Sequence, residues 1–244
     1  GNLDIAAAGI GVASGVGGAN GGQIDITANG GFAINKLITS AAGAGGTLTL
    51  DGVGSWTVAP VAGAGSITLT GASQDTTVSI ATSGGATVTI VAIRDLNVQA
   101  TVTGTGAAGV VLTAGRHILM NAAGQAVTTA GNVTLTADAD PGNNGGAITM
   151  TDGAKIDAGS GQISLSADGS VTVANLTTTN AGAAAISITS TSGGVVDGGD
   201  TDRDLVAAGT ASITAAGSVG TGGNALGTTL GTLTVASATG LYVS

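Results

Sequence analysis

The chain has 244 residues, a formal net charge of −9, 46 glycines, no cysteine, and one residue each of Trp, Tyr and Phe. Its five Lys and Arg residues are too few for a phosphate-binding stripe, which argues against nucleic acid and anionic membranes as partners. The lack of cysteine excludes disulfide scaffolds and thiolate metal sites. Small aliphatic residues dominate the 43% hydrophobic fraction, and this favours a narrow, repeated interior.

The first residues of the sequence do not resemble a signal peptide. Gly1–Asp4 carries no basic region, and the apolar residues that follow are interrupted by glycine. No stretch approaches the ~18 uninterrupted apolar residues of a membrane span, so we expect no membrane insertion. Because the repeat pattern is under way at both ends, we expect one solenoid domain over residues 1–244, as a fragment of a longer surface protein.

A phrase of alternating aliphatic and hydroxyl residues recurs along the chain, bracketed by glycine. In Ile67–Thr70, the aliphatic residues face one side of a strand and the threonines face the other. The intervals between successive copies average about 23 residues, which predicts about ten coils. The aliphatic anchors, one per coil, are Ile24, Leu48, Ile67, Val88, Val110, Val133, Ile163, Ile186, Ile213 and Leu233.

A second short strand follows most anchors, and no segment has the 3.6-residue apolar period of a helix. Two long intervals, Ala137–Gly146 and Val196–Asp204, are predicted to bulge from the rod as loops. Like strands stacked on like predict an all-β fold, a parallel β-helix. The predicted second strands are Phe32–Asn35, Trp56–Val58, Val78–Ile80, Leu96–Val98, Ile118–Met120, Val171–Val173, Val195–Val196 and Leu241–Val243.

An Arg–polar–aliphatic triplet occurs three times, beginning at Arg94, Arg116 and Arg203. Arg94 and Arg116 are separated by 22 residues, the length of one coil. We therefore predict that these two side chains lie one above the other on the outer surface.

Three segments resemble the repeat region of large bacterial exoproteins of the filamentous-haemagglutinin type: Gly115–Ala122, Gly131–Ala137 and Ala216–Thr228. The resemblance extends over nearly the whole chain, although its motifs are degenerate. It implies a right-handed β-helix, secretion to the cell surface, and a role in adhesion, biofilm or contact between cells. Such exoproteins also carry an Asn-Pro-Asn-Gly secretion motif, which this sequence lacks, so the secretion route stays open.

A Gly-rich acidic cluster is the candidate metal site. Asp197, Asp200, Asp202 and Asp204 fall within eight residues, and oxygen ligands on a loop suit Ca²⁺. Their spacing does not match the EF-hand, and a solvated loop that keeps the rod soluble is the alternative. Asp138 and Asp140 form a weaker version of the same pattern. We expect no other cofactor.

His117 is the only histidine. A catalytic triad or a zinc site would need ordered partners for it, and the simpler interpretation is an exposed histidine at the edge of a strand. The coil register places Asp95 beside it as a candidate ion pair. Polysaccharide-cleaving β-helices need paired carboxylates and aromatic platforms. Phe32, Trp56 and Tyr242 are far apart in sequence and occupy different coils, so we expect no enzyme and no catalytic residue.

Thr-x-Thr pairs recur on the outward face of the anchor strands, as in Thr68/Thr70 and Thr134/Thr136. A flat lattice of hydroxyl and methyl groups resembles the surface of ice-binding solenoids. Threonine is also the ordinary outward residue of a stable strand.

Together these patterns favour a non-enzymatic shaft or adhesin at the cell surface or in an extracellular matrix. Its partners would be the rest of a longer chain, or ligands on host or neighbouring cells. The alternative is a self-assembling filament subunit whose open ends pair with further copies, and ice binding is the weaker third interpretation.

Overall fold

The computed structural model describes residues 75–244, except 79–81, 85–86, 105–108, 129, 141–144, 200 and 238. Before Asp75 it describes the backbone of nine strands. Side chains are described from Asp75 onward, apart from those of residues 82–84 and 237. No helix occurs within these described parts, and therefore none long and apolar enough to cross a membrane.

The strands, numbered β1 to β27 in chain order, pair in parallel throughout. A nine-stranded sheet contains Asp4–Ile5 (β1), Phe32–Ile34 (β4), Trp56–Val58 (β7), Thr76–Val78 (β10), Leu96–Val98 (β13), Ile118–Met120 (β16), Ile148–Met150 (β19), Val171–Val173 (β22) and Val195–Asp197 (β25). A three-stranded sheet contains Ile10–Ala13 (β2), Leu37–Ser40 (β5) and Val61–Ala62 (β8).

A fifteen-stranded sheet holds the strands that begin and end each turn. The strands that carry the anchors are Ile24–Ala28 (β3), Leu48–Gly52 (β6), Ile67–Gly71 (β9), Val88–Ala92 (β12), Val110–Ala114 (β15), Val133–Thr136 (β18), Ile163–Ala167 (β21) and Ile186–Ser190 (β24). The strands that end a turn are Thr82–Gly84 (β11), Thr101–Gly104 (β14), Gln125–Thr128 (β17), Lys155–Asp157 (β20) and Asn175–Thr178 (β23). Two long strands, Leu205–Ala215 (β26) and Thr228–Ser237 (β27), complete the sheet.

The two long strands each combine two strand positions of a turn. The first half of β26 pairs with β23, and its second half pairs with β24. β27 continues both pairings, with a register shift between Ala207 and Thr210. In earlier turns a corner separates the strand that ends one turn from the anchor strand of the next. In β26 and β27 this corner is replaced by continuous strand.

The register confirms the parallel solenoid and its spacing of about 23 residues. It supports about six turns, whereas the anchor spacing predicted ten. The reason is that the first anchors lie in strands separated by undescribed residues, so no complete turn is described before Thr76. The register also corrects one anchor, because Ala211, rather than Ile213, pairs with Ile186.

The core is a set of aliphatic ladders that run along the rod. In the anchor strands, buried residues alternate with half-buried ones, as in Val88–Ala92. One ladder consists of Ile90, Leu112, Leu135, Leu165, Ile188 and Ile213, all fully or nearly fully buried. Because every coil contributes a similar small set of side chains, the interior is filled without aromatic residues in the described core.

Buried hydroxyls close several corners of the coils. The Thr178 hydroxyl donates to the carbonyls of Gly161, at 2.7 Å, and Gly159, at 3.1 Å. Thr128 donates in the same way to Gly131, at 2.6 Å. These bonds satisfy carbonyl groups that the strand ladders leave unpaired at the turns.

Candidate functional site

Charged side chains stack at the corner that leads into the nine-stranded sheet. The backbone N–H of Arg116 donates to the carbonyl of Arg94 across 2.8 Å, so the two arginines occupy the same position in successive coils. Their side chains are 45% and 41% exposed. The predicted stacking of Arg94 and Arg116 on the outer surface is confirmed. Arg203 lies elsewhere, ahead of β26, and donates to the Ser244 carbonyl at 3.0 Å.

Each stacked arginine binds an aspartate of the preceding coil with two hydrogen bonds. Arg94 donates from Nε and Nη2 to the two carboxylate oxygens of Asp75, at 2.7 and 2.8 Å. Arg116 binds Asp95 in the same bidentate manner, with Nε to Oδ1 at 2.8 Å. We call these four residues the Arg–Asp ladder. Its geometry fixes the register of consecutive coils from the outside.

The carboxylates of the ladder also accept backbone N–H groups of the next coil. Asp75 accepts from the N–H of Asp95 at 3.3 Å, and Asp95 accepts from that of His117 at 3.2 Å. The Arg94 guanidinium lowers the pKa of Asp75. Burial opposes the same change at Asp95, but the Arg116 guanidinium and the His117 N–H together hold the pKa of Asp95 below its usual value.

The proposed ion pair between His117 and Asp95 is wrong. Asp95 is occupied by the Arg116 guanidinium and receives only the backbone N–H of His117. The His117 ring is half-buried, and its Nδ1 accepts the N–H of Ala147 at 3.0 Å. The ring therefore does in the next coil what the two aspartates do in theirs: it accepts a backbone N–H from the coil that follows.

The four aspartates of the predicted calcium cluster have different surroundings. Asp204 is fully buried, and its Oδ2 accepts the N–H of Gly227 at 2.6 Å. Asp197 is half-buried and accepts the N–H of Gly199 at 2.7 Å, while Asp202 is exposed. Asp200 lies outside the described residues. A calcium site at this loop stays a prediction, which a higher melting temperature in millimolar Ca²⁺ would support.

The weaker acidic pattern lies in the loop between β18 and β19. Asp138 has a positive φ of 61° and donates its N–H to the Arg116 carbonyl at 3.0 Å. Asp140 is exposed beside it. Across the described residues, no three His, Asp or Glu side chains come close enough together to hold a metal ion.

The outward face of the anchor strands carries two columns of short, mostly hydroxyl-bearing side chains. From β12 to β24 these outward residues are half-buried and lie in register from coil to coil. The columns are interrupted by Val91 and Val111. Their residues in this region are Thr89, Val91, Val111, Thr113, Thr134, Thr136, Ser164, Ser166, Ser187 and Thr189. The prediction that all Thr-x-Thr pairs share this face is wrong for Thr149/Thr151, because Thr149 lies in β19 of the nine-stranded sheet.

Two aromatic residues that are distant in sequence are neighbours in the register. Phe32 pairs with Trp56 across β4 and β7, so they occupy the same position in consecutive coils. Tyr242, the third aromatic residue, is exposed in the last turn. Sequence reasoning missed the Phe32–Trp56 pairing because it counted separation along the chain rather than position within the coil.

A shallow groove on the outer face of the nine-stranded sheet was also missed. It has a volume of about 210 Å³ and crosses β13, β16 and β19. None of its seven lining residues is charged. These residues are Asn97, Gln99, Leu119, Met120, Asn121, Thr149 and Thr151. Asn97 in the middle of a predicted strand was the available signal, because asparagine is rare in strands.

Known proteins provide no further guide to the site. No protein-family model, curated protein or solved structure matches this chain.

Proposed function

We propose that the chain is a non-enzymatic structural rod, part of the shaft of a secreted or cell-surface protein that supports adhesion or a biofilm matrix. The residue-for-residue register between coils carries this proposal. Val110, for example, pairs with Val88 below it and Val133 above it, and the same order holds from Val111 to Thr113. Such a repeat extends in one direction and can be lengthened without redesigning its core.

The mechanical reason lies in the direction of the hydrogen bonds. In a parallel solenoid the inter-strand bonds run along the rod axis, so each coil is held by a row of bonds to the next. The Arg–Asp ladder adds bidentate contacts in the same direction, as between Arg94 and Asp75. A rod held in this way can present a binding region at a distance from the cell and transmit force along its length.

The number of coils and the handedness of the solenoid are also part of the proposal. We infer ten coils in a right-handed β-helix over residues 1–244, the handedness coming from the resemblance noted above. At about 4.8 Å per coil, ten coils give a rod roughly 50 Å long. An experimental structure of the whole chain would test both the coil count and the hand. The partners we propose are the remainder of a longer chain and ligands on host or neighbouring cells.

The alternative is a filament subunit, and the exposed last turn is compatible with it as well as with the shaft. Leu241, Tyr242 and Val243 are 49%, 44% and 38% exposed, although Leu241 continues a ladder that is buried in earlier coils. Among the described strands, β27 pairs with β26 alone. In a shaft, a further coil of the same chain would cover this surface. In a filament, a second copy would cover it.

The mass of the native polypeptide separates the two proposals. It should be measured on protein from its source by denaturing gel and mass spectrometry. A mass many times 22.4 kDa would support the shaft. A mass near 22.4 kDa would contradict the shaft and support the filament subunit, whose assembly would then be followed by electron microscopy.

A further inference from the structure

Asn97 has no structural role that explains its position. It lies at the centre of β13, where the equivalent residues of other coils are Thr77, Leu119 and Thr149. Asparagine is unfavourable in strands because its side chain competes for backbone hydrogen bonds. No hydrogen bond within the described part of the chain involves the Asn97 side chain, or that of Gln99 two residues later.

Other asparagines show what a structural role looks like in this fold. Asn132 accepts the N–H of Gln162 at 2.9 Å, and Asn175 donates to the Arg203 carbonyl at 2.9 Å. Asn180 accepts the N–H of Gly182 at 2.7 Å. These amides bond to the backbone of other residues, whereas Asn97 and Gln99 line the groove.

The groove is built from two columns of three residues. Asn97, Leu119 and Thr149 form one column, since they pair directly across β13, β16 and β19. Gln99, Asn121 and Thr151 follow the same three strands and form the second. Successive coils are about 4.8 Å apart, so each column spans roughly 10 Å. Leu119, 39% exposed, contributes an aliphatic patch at the centre.

We propose that this groove binds a neutral glycan and that it holds a single sugar ring of the glycan chain. A side-chain amide offers a donor and an acceptor in one plane, and two vicinal hydroxyls of a sugar present the matching pair. The Leu119 side chain suits the apolar C–H face of the ring. At about 210 Å³, the groove is smaller than the ~300–1,000 Å³ of pockets for whole drug-sized ligands, which fits a single ring.

The uncharged lining of the groove and the negative charge of the chain favour neutral glycans over acidic ones. No lining residue is a cation that could pair with a sulfate or carboxylate, and the chain as a whole carries a net charge of −9. The lining also lacks the two carboxylates that glycoside hydrolysis requires, so the proposed event is binding without cleavage. The inference deepens the proposed function by naming a class of ligand, and it rests on the adhesive part of that function.

Affinity for one ring should be weak. The groove has no aromatic platform, and it is open along one side of the rod. We expect a Kd near 1 mM for a short oligosaccharide, about −4 kcal/mol. Useful adhesion would come from many such contacts along a polymer or between many rods.

The test is a titration of the full 22.4 kDa chain followed by the NMR shifts of its backbone amides. The probes are β-linked oligomers of glucose, galactose and N-acetylglucosamine, with a uronic acid oligomer for comparison. The variant is Asn97→Thr combined with Leu119→Thr. Both changes introduce the residue already present at Thr149 in the same column, so the fold should be retained. Gln125→Ala is the matched control, a partly exposed amide on another sheet.

We expect a neutral oligomer to shift amides of β13 and β16, with the Kd weakened at least ~tenfold in the double variant and unchanged in Gln125→Ala. The proposal is overturned if no neutral oligomer produces shifts at about 10 mM, if the double variant binds as well as the natural chain, or if the uronic acid oligomer binds more tightly. A failed titration leaves the shaft intact, because the mass measurement tests the shaft separately.

Discussion

At the scale of single residues, Asp75 and Asp95 each use one carboxylate for two purposes. Each accepts a bidentate arginine and a backbone N–H from the next coil. An exposed ion pair alone contributes little to stability. The Asp95 carboxylate is only 12% exposed, and it also satisfies the His117 N–H at a corner that the strand ladder does not reach. Its loss would leave that donor and a guanidinium without their partner.

The lowered pKa values of these two aspartates predict acid sensitivity. Because the pKa of each is lower in the folded than in the unfolded chain, the stabilisation is complete above about pH 4 and is lost as pH falls through the folded pKa. The melting temperature of the natural chain should therefore fall between about pH 5 and pH 2 more steeply than that of the Asp75→Asn, Asp95→Asn variant. Parallel curves of melting temperature against pH would contradict this origin.

Close approach of backbones explains one glycine. A Cβ added to Gly161 would lie 1.9 Å from the carbonyl oxygen of Gly131 in the neighbouring coil. Gly161→Ala should lower the free energy of unfolding by about 1–3 kcal/mol, because a backbone atom cannot move aside as a side chain can. Gly223→Ala is the control, since nothing lies within 4 Å of its added Cβ. Urea denaturation measures both, and equal losses would refute the steric explanation.

At the scale of strands, the anchor strands were predictable and the strands that end each turn were not. Ile163–Ala167 alternates strictly, so its inward and outward residues can be assigned from the sequence. Lys155–Asp157 contains a single inward residue, Ile156, between two charged residues that form an ion pair at 3.1 Å. Three residues with one apolar position carry no periodic signal. Their strand conformation is imposed by the coils on either side.

The candidate sites were predictable only where they depended on coil register. The separation of Arg94 and Arg116 by one coil was enough to predict their stacking. The partner of Asp95 was not predictable, because Arg116 and His117 are adjacent and only side-chain reach decides between them. The groove around Leu119 combines residues of three coils, and the single unusual residue in a strand, Asn97, does not by itself indicate which residues of the other coils lie beside it.

Alternation in the anchor strands predicts opposite outcomes for neighbouring substitutions. Leu135 is fully buried between Leu112 and Leu165, so Leu135→Ala should cost about 2–5 kcal/mol of unfolding free energy. Thr134 faces outward in the same strand, and Thr134→Ala should cost about 0.5 kcal/mol or less. Chemical denaturation provides the comparison. Similar costs for the two changes would mean that β18 is registered differently.

At the scale of the whole molecule, each described strand pairs with strands of the coils directly above and below it. The fifteen-stranded sheet runs from β12 through β15, β18 and β21 to β24 without a crossover. Stability in such a repeat is approximately the sum of the coils and of the interfaces between neighbours. A local defect should therefore remain local, in contrast to a globular domain with one shared core.

Hydrogen exchange can measure how far a defect spreads. In Leu135→Ala, amide exchange should accelerate most in β18 and in its two neighbours, β15 and β21, with a smaller change in β26. The Thr134→Ala variant provides the baseline, since it alters the same strand without opening the core. A uniform acceleration from β12 to β27 would instead mean that the whole solenoid opens as one cooperative unit. If the coils of a shaft unfold one after another under load, the effect of a defect must stay confined to neighbouring coils.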